Sequence, residues 1–85
     1  MTDNERRAIY MELLRSRLEF KREQERHIRS ITRLRRKHVK CLIFKNYEHA
    51  EAYEEAIKEK NEQINGLSYS VEAINLMIDE WRKSA

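Results

Sequence analysis

Residues 26–47 read RHIRSITRLRRKHVKCLIFKNY, and this stretch decides the fold. It carries eight Lys/Arg and no Asp or Glu, in a chain whose charges are otherwise closely mixed. Ile28, Ile31, Leu34, His38 and Leu42 recur at helical spacing, at about 100° per residue. Arg26, Arg29, Arg33, Arg36, Lys37 and Lys40 fall on the opposite side. The pattern predicts the end of a long two-faced helix. Asn46 follows as a candidate N-cap for a second helix, which implies a turn over residues 43–47.

Upstream, Thr2 and Glu5 have the spacing of a capping box, so the first helix is expected from about residue 3 to 42. Its best heptad frame runs 11, 14, 18 and onward to 35, 39 and 42. Downstream, the repeat is cleaner. Ala50, Tyr53, Ile57, Lys60, Ile64, Leu67, Val71, Ile74, Ile78 and Trp81 alternate steps of three and four. This predicts a second helix over about 48–83, with Lys60 as the only charged member of its seam. From Leu42 to Ala50 is eight residues, where an unbroken seam would need seven. A phase slip beside a cap favours an antiparallel hairpin over a single rod. That arrangement sets Leu18 opposite Val71, Leu14 opposite Ile74 and Met11 opposite Ile78, with Trp81 near Arg7 and Tyr10. Asn65-Gly66 offers a break, with a three-helix layout and a turn at 66–69 as the alternative.

Composition supports an all-α chain. The 85 residues include one glycine and no proline, too few turn formers for a compact β protein. The expected architecture is one helical domain over 1–85, with coiled-coil-like packing between the two helices. A chain this short buries only about 60–65% of its unfolded surface. Its single cysteine, Cys41, cannot close an internal disulfide, so self-association is the expected staple, as a homodimer or higher oligomer. No apolar run reaches the ~18 residues of a membrane span. Neither membrane contact nor a signal peptide is expected, and the expected location is the cytoplasm of the producing cell or host.

Charge is lopsided. Residues 1–45 hold 14 Lys/Arg against 6 Asp/Glu, a net of +8, and residues 46–85 hold 4 against 9, a net of −5. Glu48, Glu51, Glu55, Glu59 and Glu62 form an acidic stripe that mirrors the basic one. A helix of 22 residues is about 33 Å long, close to one turn of B-DNA. Phosphate contacts from five of the outward cations, Arg29, Arg33, Arg36, Lys37 and Lys40, would give a salt slope of about −4 to −5. Yet there is no helix-turn-helix glycine, zinc-finger spacing or RNA-stacking motif, so sequence-specific readout has no basis.

Other residues bear on chemistry. Arg35 falls in the apolar sector, and Glu54 of the facing helix is its expected partner in a buried ion pair. Tyr10, Phe20, Phe44, Tyr47 and Tyr69 fall off the heptad frames and are candidates for a second interface. His38, Cys41 and His49 bracket the turn, but their spacing fits no zinc pattern, and no metal or cofactor is expected. No nucleophile has an orienting base, and no glycine-rich phosphate loop is present. The sequence therefore points to a non-enzymatic binding protein, an adaptor, inhibitor or regulator with a macromolecular partner. A protein partner is favoured over sequence-tolerant DNA or RNA binding, and a purely structural self-assembly protein is the third reading.

Overall fold

The computed structural model describes residues 2–84. Two helices, α1 (Asp3–Ile43) and α2 (Tyr47–Lys83), fold back on each other as an antiparallel hairpin, a rod of 64 × 14 × 13 Å. Local chemistry sets the ends. The Glu5 N–H donates to Thr2 Oγ1 at 3.2 Å, and the Thr2 N–H donates to Glu5 Oε2 at 3.4 Å, a reciprocal cap that satisfies two otherwise orphaned donors. Asp3 and Glu5 sit in the positive first turn of α1, and Arg82 and Lys83 in the negative last turn of α2.

The connection is only Phe44, Lys45 and Asn46. The Asn46 N–H donates to Cys41 O at 2.8 Å and the Lys45 N–H to Leu42 O at 3.1 Å, the paired bonds of a Schellman closure. Lys45 takes the left-handed position with φ 57°, where glycine is usual. Asn46 then caps α2, its Oδ1 accepting from the His49 N–H. α2 continues straight through Gly66, so the three-helix alternative does not form.

All ten members of the α2 repeat from Ala50 to Trp81 are buried or half-buried. The α1 column that meets them runs Arg6, Tyr10, Leu13, Arg17, Phe20, Gln24, His27, Ile31, Leu34, His38 and Cys41, also in steps of three and four and also buried or half-buried. This is one residue away from the expected frame of 11, 14 and 18. Cross-helix bonds explain the choice. Arg17 Nη1 donates to Asn75 Oδ1 at 2.9 Å, and Gln24 Nε2 donates to Ser68 Oγ at 2.7 Å and to Ile64 O at 3.3 Å. Tyr10 stacks on Trp81 with ring centroids 4.6 Å apart and planes at 17°, and Arg6 lies 5.4 Å from the Trp81 ring centroid. Tyr10, Arg17 and Gln24 thus enter the seam already partnered. Arg82 donates to the Tyr10 hydroxyl at 3.1 Å, a bond that raises the guanidinium pKa further.

The pairings of Leu18, Leu14 and Met11 with Val71, Ile74 and Ile78 are therefore corrected. Met11 and Leu18 are exposed, and Ile28 and Leu42, expected on the inner face, are exposed as well. Only Ile31, Ala50, Ile74 and Ile78 form a fully buried core among the described residues.

Two backbone substitutions test this chain path. A Cβ at Gly66 would meet nothing within 4 Å, so Gly66→Ala is expected to stabilise α2 by about 0.5–1 kcal/mol. Lys45→Gly is expected to stabilise by a similar amount, roughly 0.5–1 kcal/mol, by relieving the left-handed strain. Urea unfolding midpoints measure both. A fall in midpoint for Gly66→Ala would contradict an unbroken α2, and one for Lys45→Gly would contradict the turn.

Candidate macromolecule-binding face

The basic residues are placed by the helix period. Arg26, Arg33 and Lys40 stand seven apart in one column on the back of α1, and Arg29 and Arg36 form the adjoining column. Successive members of each are about 10.5 Å apart. With Lys37 they make six exposed cations, none of which is in an ion pair among the described residues. They form a continuous cationic face about 20 Å long.

Three of them, Arg26, Arg29 and Arg33, also line an open groove of about 840 Å³, together with Glu23, His27, Ser30, Thr32 and Lys60. Lys60 Nζ lies 3.3 Å from His27 Nδ1, and because an ammonium can only donate, that ring nitrogen is the acceptor. The Nε2–H then points to Glu23 Oε1, 3.8 Å away. Sequence reasoning does not place His27 and Lys60 in the site. The one charged member of an otherwise apolar seam is the signal that could have found them.

The acidic stripe lies at the same height on the rod. Tyr10 with Trp81, Arg17 with Asn75 and Gln24 with Ser68 fix the register, so residues 26–40 of α1 run beside residues 51–65 of α2. Glu48, Glu51, Glu55, Glu59 and Glu62 are all exposed there, on the outer face of α2. The turn-proximal half of the rod is positive on one side and negative on the other.

Two sequence-based assignments change. Arg35 and Glu54 are both exposed and form no ion pair with each other, since the seam passes through Leu34 and leaves Arg35 on its flank. The expected second interface also divides. Tyr10 and Phe20 belong to the α1 seam and are half-buried. Phe44 and Tyr47 are exposed beside the turn, while Tyr69 is exposed 22 residues further along α2, about 33 Å away. His38 and Cys41 are half-buried, and the exposed His49 ring lies 3.0 Å from Asn46 Oδ1. Among the described residues no group of three or more His, Cys, Asp or Glu is placed to hold a metal ion. Among the described residues no helix is long and apolar enough to cross a membrane.

No protein-family model, no curated protein and no solved structure matches this chain.

Lys60 offers a direct check on the seam. Lys60→Met keeps the aliphatic stem and removes the half-buried charge, and it is expected to stabilise by about 1 kcal/mol in urea unfolding. A loss of comparable size would show that the contact with His27 outweighs the desolvation of Lys60.

Proposed function

We propose that this protein is a small non-enzymatic helical binding protein, an adaptor, inhibitor or regulator, whose α1 basic face docks on an acidic surface of a protein partner. The observation that carries the reading is the set of six exposed cations between residues 26 and 40, without an ion pair among the described residues. Charges left solvated and unpaired on a rigid helix contribute little to stability. They are suited to meeting an anionic surface, where they raise the encounter rate and select against basic partners.

The acidic stripe favours a protein over a nucleic acid. The Cα trace of the rod is only 13–14 Å across, so its outward glutamates stand roughly three Debye lengths from groups bound to the basic face and add a weak repulsion. A duplex presents negative charge in every direction and meets that repulsion along its length. A protein can place its acids against the arginines and neutral or basic groups beyond them. The thin core belongs to the same reading: coiled-coil-like seam packing in one hairpin is completed by self-association.

The test uses Arg33→Glu, Arg36→Glu and Lys40→Glu together. The triple variant is expected to keep its far-UV helicity, because none of the three side chains enters the seam. In affinity capture from the source cell at about 0.15 M salt, wild type should retain an acidic protein. The variant should retain at least about tenfold less, a difference of about 1.4 kcal/mol. Recovery of nuclease-sensitive material in place of protein, or a DNA or RNA mobility shift that survives this salt, would contradict the proposal. Melting of the variant would instead make the basic face structural.

A further inference from the structure

α1 carries a second apolar column that the hairpin leaves open. Met11, Leu18, Ile28, Val39 and Leu42 are each between 44% and 53% exposed, and half-buried Leu14 continues the line. They follow one flank of α1 in helical steps, beside the seam. On the same side of the rod α2 offers Glu54, Asn61, Ser68 and Asn75, which are all polar. Among the described residues nothing covers the column.

The surface area says how much is missing. The chain exposes 6981 Å², whereas a compact protein of 10.4 kDa exposes about 5,400 Å². The excess of about 1,600 Å² is twice the roughly 800 Å² that each partner contributes to a standard interface. We propose that this column is the interface with a second copy of the chain, α1 packed antiparallel against α1, giving a four-helix dimer. The proposal deepens the self-association in the functional reading by naming its face and orientation.

Charge selects the orientation. In a parallel pair Lys21, Glu25 and Arg35, which interrupt the column, would each meet their own copy. The blocks 26–45, with eight cations and no acid per chain, would also lie side by side. In an antiparallel pair each such block runs beside residues 8–25 of the other copy, where four acids balance four cations, so the two like-charged blocks are kept apart. Met11 and Leu14 then meet Val39 and Leu42 at both ends. The α2 flank, lacking apolar residues, cannot take the place of α1.

Sedimentation equilibrium at micromolar concentration gives the first readout. Wild type is expected at twice the 10.4 kDa chain mass. Leu18→Glu with Ile28→Glu, and in parallel Leu18→Ala with Ile28→Ala, are expected to be helical and to shift to monomer. The alanine pair retains helix propensity if the glutamates disturb the fold. A helical wild-type monomer, or a dimer unchanged by both pairs, would overturn the proposal. Orientation is read from spin labels at Met11→Cys in a Cys41→Ala background. The antiparallel dimer predicts a label separation of about 45 Å, and a separation of about 10–15 Å would overturn it. The basic face takes no part in these readouts, so failure of partner capture leaves them intact.

Discussion

A two-helix hairpin has one seam, and each helix can bury only one stripe in it. Most of what is observed in this protein follows from that constraint. α2 has a single apolar column and no choice to make. α1 has two adjacent columns, and the one that enters the seam is the more polar, because Tyr10, Arg17 and Gln24 each find a partner on α2. Those partners spare each group the roughly 1–3 kcal/mol of an unmet hydrogen bond, which offsets the comparable ~1.5–3 kcal/mol forgone for each apolar side chain left outside. The other column therefore remains on the surface.

The same contacts set the register, and the register sets the electrostatics. With Tyr10 on Trp81 at one end and the Schellman turn at the other, residues 26–40 have no sliding freedom against residues 51–65. The arginines of α1 and the glutamates of α2 project from opposite sides of a thin rod, so they do not neutralise each other by contact. Side-by-side helices could carry an interhelical charge ladder, but the positions flanking the α2 seam hold mostly serine, asparagine, alanine and glutamine. No such ladder forms among the described residues. The acid–base pairs within 4 Å there are local ones on α1, Glu12 with Arg15 and Glu23 with His27.

Much of this is legible in the sequence. The α2 seam can be read member by member because its apolar column is nearly unbroken and its neighbours are polar. The Thr2–Glu5 box and the Asn46 cap are legible because side-chain type and spacing are enough to define them. The α1 seam is not, since counting apolar residues favours Met11, Leu18 and Val39, while the deciding bonds are made with residues 58, 44 and 71 positions away. That one-residue shift also takes Arg35 out of the seam and brings Tyr10 and Phe20 into it. The position of the turn can be inferred but not its mechanism, because a lysine in the left-handed position leaves no mark in the sequence. The basic column follows from the helix period alone, whereas His27 and Lys60 join its groove only through the fold.

What a single hairpin lacks, on this reading, is a second copy over the open column of α1. Urea unfolding at about 1 and about 100 μM chain is the decisive measurement, because a dimer that dissociates on unfolding is stabilised by mass action. The expected result is a higher midpoint at the higher concentration, with apparent stability rising by about 1.4 kcal/mol for each tenfold increase. A midpoint that does not move across that range would contradict the dimer.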